Sequence, residues 1–131
     1  MKKKTILFVD DDPVSIKLII NEFKKVFGSS VHYEKAHDAK EAEEIILEYL
    51  SFKGQLPALI VSDWMMPGKR GDHFLKDVSD VYPEIPLILH SGLATTETVS
   101  RLQDEFDLLC FLPKPWDGKH NIDKIFQALS N

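Results

Sequence analysis

Acidic residues stand at the ends of short apolar runs in this chain. Ile6-Leu7-Phe8-Val9 leads directly into Asp10-Asp11-Asp12-Pro13, and Ala58-Leu59-Ile60-Val61 leads into Ser62-Asp63. A third run, Leu108-Leu109-Cys110-Phe111-Leu112, ends in Pro113-Lys114-Pro115. Apolar runs of this length bounded by turn formers read as buried strands. Were these strands parallel neighbours, their carboxyl ends would meet at one edge, where ligands bind in open α/β sheets. Several carboxylates and one ammonium would then share a pocket. Like charges packed together resist ionising together, and a bound divalent cation removes that conflict. Hard oxygen donors of this kind suit Mg²⁺.

The elements that must position these residues alternate from end to end. Asp12 is a good N-cap and Pro13 a good first helical residue. Ile16, Ile19, Ile20, Phe23, Val26 and Phe27 then fall on one helical face, closed by Gly28. Residues 31–36 alternate as a strand, and Asp38 caps a second helix whose stripe is Ala42, Ile45, Ile46, Tyr49 and Leu50. A strand at 58–62 precedes a loop with Pro67, Gly68 and Gly71, and a third helix carries Phe74, Leu75, Val78, Val81 and Tyr82. A fourth strand covers 86–90 and a helix with a thin apolar stripe follows near 95–106. The fifth strand is 108–112, and the last helix presents Ile122, Ile125, Phe126 and Leu129. This (βα)₅ pattern predicts one α/β domain over residues 1–131: a doubly wound, five-stranded parallel sheet with right-handed crossovers. The flavodoxin-like strand order 2-1-3-4-5 has its switch point between the first and third strands, and both end in acids.

Bulk properties exclude several classes. A chain of 131 residues can bury a real core. Its net charge of −5 gives no general attraction to nucleic acid or an anionic membrane. No apolar stretch approaches the roughly 20 residues that span a bilayer. Met1-Lys2-Lys3-Lys4 is read as a solvated lead-in, because the apolar run behind it is too short for a signal peptide. Cys110, the single cysteine, is expected as a small core residue in a reducing cytoplasm. The five histidines lack metal-ligand spacing. The loop at 67–71 lacks the pattern of a nucleotide-binding loop.

Four segments taken together resemble the receiver domain of two-component response regulators. They are Ile-Leu-Phe-Val-Asp-Asp-Asp-Pro at 6–13, Val-Ser-Asp-Trp-Met-Met-Pro-Gly at 61–68, His-Ser-Gly at 90–92 and Leu-Pro-Lys-Pro-Trp at 112–116. The likeness covers essentially the whole chain. It implies that Asp63 is the phosphoacceptor, forming an acyl phosphate. It also implies that Asp10, Asp11, Asp63 and the Met65 backbone carbonyl hold Mg²⁺, with Asp11 as a direct ligand and Asp10 acting mainly through water. Asp12 is then left to cap the helix. By the same resemblance, Lys114 pairs with Asp63 in the empty state and with a phosphoryl oxygen in the loaded one, and the Lys114-Pro115 bond is expected cis. The Ser91 hydroxyl and the backbone N–H groups of Trp64 and Gly92 would donate to phosphoryl oxygens.

Ser91 and Phe111 match the family's switch positions. Phe111 has no phenol hydroxyl, so a switch here would work by packing. The fourth helix, fifth strand and last helix would form the output face. Trp116 is expected either to add contact area there or to pack locally. Arg70 stands where the family commonly has an acid and is expected to tune partner choice. Met65 and Leu93 border the route of the hydrolytic water in the family. Apolar side chains orient water poorly, so self-dephosphorylation should be slow.

The partners implied are a sensor histidine kinase or phosphotransfer protein and a downstream protein or output domain. A phosphorylation-dependent dimer is also consistent with the resemblance. No DNA-binding segment follows residue 131, so direct nucleic-acid binding is not expected, nor is membrane binding. The domain would be regulatory rather than an enzyme, assisting only its own phosphorylation and dephosphorylation. One alternative is a Mg²⁺-dependent phosphatase with an aspartyl-phosphate intermediate, which turnover of a phosphomonoester would reveal. Another is a receiver-like binding module that is not phosphorylated. A flavin-binding role is disfavoured, because three acids after the first strand would repel the cofactor's phosphate.

Overall fold

The elements alternate as the hydrophobic pattern predicts. The order is β1 (Lys4–Val9), α1 (Pro13–Phe27), β2 (Val31–Ala36), α2 (Ala39–Lys53), β3 (Leu59–Asp63), α3 (Gly71–Val81), β4 (Leu87–Ser91), α4 (Thr96–Glu105), β5 (Cys110–Pro113) and α5 (Ile122–Ser130). The computed structural model describes residues 3–93 and 95–130. Met1 and Lys2 of the expected lead-in lie outside that range. Lys4 is no free lead-in: it opens β1, and its Nζ donates to the Leu129 carbonyl at 2.5 Å. No described helix is long and apolar enough to cross a membrane.

The strands lie in the order β2-β1-β3-β4-β5, every neighbouring pair parallel, as the doubly wound reading expects. Two apolar layers form, one on each face. Ile6, Phe8, Leu59, Val61, Ile88, Cys110 and Leu112 meet Ile16, Ile19 and Phe23 of α1 and Ile125 of α5. Leu7, Val9, Ile60, Leu87 and Leu89 meet α2, α3 and α4. Strands covered on both faces need continuous apolar runs rather than alternation, which is how β1, β3 and β4 read. Phe23 anchors the first layer: its ring meets Phe8 edge-on at 5.1 Å and Trp116 at 4.7 Å between centroids. Burying each such ring contributes about 1.5–3 kcal/mol.

Caps set the helix starts. Asp12 accepts from Val14 N at 3.0 Å ahead of Pro13, and Asp38 accepts from Glu41 N at 2.8 Å. Thr95 does the same for α4, whose only fully buried residue is Leu102. Boundaries shift slightly from the pattern. β3 extends to include Asp63 and β4 to include Ser91, so both residues ride on strands. β5 begins at Cys110, opposite Ile88, rather than at 108; Leu108 is used in the turn off α4, its N–H bonding the Phe106 carbonyl at 3.0 Å.

The β5–α5 connection is a built loop. The Lys114-Pro115 bond is cis as expected. Trp116 is buried against α1 and donates from Nε1 to the His120 carbonyl at 2.8 Å, so of its two expected roles it takes the local one. Asp117 accepts from the Lys119 and His120 N–H groups at 2.8 and 3.0 Å. Asn121, at φ 58, donates from Nδ2 to the Phe111 carbonyl at 2.8 Å.

Candidate functional site

The sheet register gathers the chemistry at its carboxyl edge. Asp63 closes β3 opposite His90 of β4, and His90 lies opposite Leu112 of β5. Lys114 follows two residues later and reaches back between two acids. Its Nζ stands 3.1 Å from Asp10 Oδ2 and 3.0 Å from Asp63 Oδ1. Asp10 is buried directly after β1, and its Oδ1 accepts from Asp12 N at 2.9 Å. Asp63 Oδ1 also accepts from Trp64 N at 2.9 Å. Oxygens of Asp10, Asp11 and Asp63 lie within 4.8 Å of one another. Asp12 is not in this group; it caps α1.

The site is short of positive charge. Burial pushes the Asp63 carboxyl upward most strongly, pairing with Lys114 pulls it back, and the Asp10 charge pushes it up again; the net result lies above the ordinary carboxylate value. Burial alone would lower the Lys114 pKa. The bond to Asp63 and the charges of Asp10 and Asp63 outweigh that, so its pKa rises. Acid and base are thus both driven to hold protons, as expected where three carboxylates share one ammonium.

A hard divalent cation fits this imbalance. The donor set is all oxygen, and its atoms are close enough to share one ion. Among the described residues nothing donates a hydrogen bond to the Met65 carbonyl, so its lone pairs are open to an ion.

The remaining expected residues sit around this centre. Ser91 is buried at the end of β4, its Oγ accepting from Leu93 N at 3.0 Å. Gly92 follows, exposed and beside Lys114. Phe111 is half-buried against the α2–α4 layer, on the opposite face of the sheet from Phe8 and Phe23. The Met65 and Leu93 side chains are exposed. Arg70 does not face outward for a partner alone. It forms a two-point pair with buried Asp72 in the first turn of α3, Nε–Oδ1 3.0 Å and Nη2–Oδ2 2.6 Å. Asp72 consequently ionises more readily than an ordinary aspartate, burial being overcome by Arg70.

Two residues beside this site were given no part in it from sequence. His90 is buried in the row of Asp63, and among the described residues its Nε2 has no hydrogen-bond partner. Gly71 presses against the backbone of Asp63, where an added Cβ would come within 1.7 Å of the carbonyl oxygen. Only the register and the loop path reveal either.

Comparison with known proteins gives one consistent family. The sequence matches the response regulator receiver domain over residues 6–126. It is 32% identical over 132 residues to the hydrogenase transcriptional regulatory protein HoxA of Cupriavidus necator, covering 98% of this chain and 24% of that protein. Identity to the DNA-binding transcriptional regulator NtrC of Escherichia coli is 28%, covering 98% of this chain and 26% of that protein. The chain thus spans about a quarter of the length of these curated relatives. The crystal structure of the receiver domain of NtrX from Brucella abortus shares the fold, with a TM-score of 0.77 at 24% identity over 96% of this chain and 98% of that one.

Proposed function

The chain belongs to the response regulator receiver domain family, and from this we propose that it is the phosphoacceptor switch of a two-component system, loaded on Asp63 by a sensor histidine kinase or phosphotransfer protein. The observation that carries this reading is the Asp63 carboxylate held beside Lys114 and within reach of Asp10 and Asp11. Trp64 N–H and Lys114 both engage Oδ1, which fixes the carboxylate and leaves Oδ2 as the attacking oxygen. In the transfer, that oxygen attacks the phosphorus of a phosphoimidazole. The O–P bond forms as the P–N bond breaks, and the electron pair leaves on the imidazole, which takes up a proton. The product is an acyl phosphate.

Charge stabilisation dominates such a step. Lys114 would move from Asp63 to a phosphoryl oxygen, and the Trp64 and Gly92 N–H groups would donate to others. Asp10, Asp11, Asp63 and the Met65 carbonyl would hold Mg²⁺, which when bound supplies the positive charge that the phosphoryl oxygens require. Ser91 Oγ would turn from Leu93 N toward the new oxygens, and Phe111 would repack beneath α4. The α4–β5–α5 face would then change its affinity for a downstream protein or output domain, or for a second copy of the chain. The cytoplasm is the setting for this role.

The test is incubation with Mg²⁺ and acetyl phosphate, followed by intact mass. Wild type is expected to gain one phosphoryl group; Asp63→Asn and chelated wild type are expected to gain none. No gain on wild type, or an equal gain on Asp63→Asn, overturns the reading. Steady turnover of a phosphomonoester would favour the phosphatase alternative, which would want an acid two residues after Asp63, where Met65 stands.

A further inference from the structure

Away from the acidic centre, cationic groups gather on one side of a chain whose net charge is −5. Lys17 and Lys24 of α1, Lys35 of β2 and His37 just beyond it line a groove of about 470 Å³. Pro13, Ile16 and Ile20 give it an apolar wall, Asn21 adds one amide, and no carboxylate lines it. None of Asp10, Asp11, Asp63 or Lys114 borders it.

Some lysines elsewhere in the chain are answered by acids. Lys25 is answered by Glu22 at 2.9 Å, Lys69 by Asp77 at 2.6 Å and Lys76 by Asp80 at 3.6 Å. Among the described residues, Lys17 and Lys35 form no ion pair. The Lys24 ammonium stands 5.5 Å from the centroid of the Tyr33 ring. His37 engages Glu41 of α2 at 3.2 Å, and Asp12, next to Pro13, is occupied in capping Val14 N. Charges of one sign around a concave, partly apolar wall raise the local potential and concentrate anions there.

We propose that this groove binds a small amphipathic polyanion of the nucleoside di- or triphosphate class. Lys17, Lys24 and Lys35 take the phosphates as point charges. The apolar wall of Pro13 and Ile20 takes the flat nucleoside, and the Asn21 amide offers it a donor and an acceptor. A volume of about 470 Å³ suits such a ligand. Inorganic polyphosphate satisfies the ammoniums but leaves the apolar wall unused, which is the reason for the choice of class.

The experiment is titration of the chain with ADP in the absence of Mg²⁺, read by backbone amide chemical shifts. Saturable shifts are expected at Lys17, Asn21, Lys24 and Lys35. The Lys17→Glu/Lys35→Glu double variant should bind roughly tenfold more weakly or worse. A milder Lys17→Gln/Lys35→Gln pair, with its spectrum unchanged outside the groove, guards against misfolding. Adenosine should not bind, and tripolyphosphate should bind more weakly than ADP. The proposal is overturned by shifts that never saturate, by shifts centred on Asp63 and Gly92, by unchanged affinity in both double variants, or by tripolyphosphate binding as tightly as ADP.

Discussion

His90 shows how much one side chain beneath a charged centre can decide. Burial lowers its pKa to about 4, reinforced by the Lys114 charge and partly offset by that of Asp10. In the unfolded chain a histidine titrates near about 6.5. Between those values the unfolded chain binds the extra proton, so the stability present above about 6.5 is lost as pH falls toward 4. The full effect is roughly 3 kcal/mol. Asp63, with its raised pKa, acts in the opposite sense: its contribution is present at low pH and lost as pH rises through the folded value. Urea midpoints of wild type and His90→Leu at pH 7 and pH 4.5 separate the two effects. The wild type should lose stability relative to the variant on acidification, and a pH-independent gap would contradict the assignment. Met65 belongs to the same scale. Its exposed apolar side chain offers water no hydrogen bond, so Met65→Asn should hasten decay of the phosphorylated form, followed by loss of the added mass over time. Asp10, Asp11, Asp63 and Lys114 are legible in the sequence because each lies at or just beyond the end of an apolar strand. His90 is not, because a polar residue inside a buried run gives no sign of its neighbours until strand register aligns it with Asp63.

Elements hold this centre through close backbone approach. The 64–70 loop folds back so that Gly71 N donates to the Trp64 carbonyl at 2.7 Å. A methyl group at Gly71 would meet the Asp63 carbonyl oxygen at 1.7 Å and its carbon at 2.7 Å, both rigid backbone atoms. Gly71→Ala must therefore displace the loop that carries Met65, or the end of β3 itself. The expected cost is about 1–3 kcal/mol, with phosphorylation rate falling alongside; the urea midpoint and the mass assay measure the two. A wild-type midpoint would mean that the loop yields freely. Element type and order were readable throughout, since stripes of period 3.6 alternate with short apolar runs. Ends were less readable. The fifth strand starts two residues late because a turn after α4 consumes Leu108. Likewise, Trp116 could be read as surface or core from its neighbours alone. Its burial depends on Phe23, which lies 93 positions earlier in the chain and meets it at 4.7 Å.

For the molecule as a whole, the centre's surplus of negative charge predicts a response to metal. Mg²⁺ binds the folded chain in preference to the unfolded one, so it should raise the melting temperature by mass action, by about 2.7 kcal/mol of stability at a hundredfold excess over its dissociation constant. Asp11→Asn should blunt that rise, and an equal rise in the variant would place the ion elsewhere. The gross architecture is legible in the sequence, because a chain this short with five alternating units has few ways to cover both faces of a parallel sheet. Which layer each residue joins was not evident. The outermost strands bring one last consequence. β5 has only four residues and ends in Pro113, and the Asn121 amide already occupies the Phe111 carbonyl. On the far flank, β2 carries exposed His32 and Lys35. Neither border invites another chain to extend the ladder. Self-assembly would have to proceed through helical surfaces, and crowding this protein to high concentration should leave it free of fibrous aggregate.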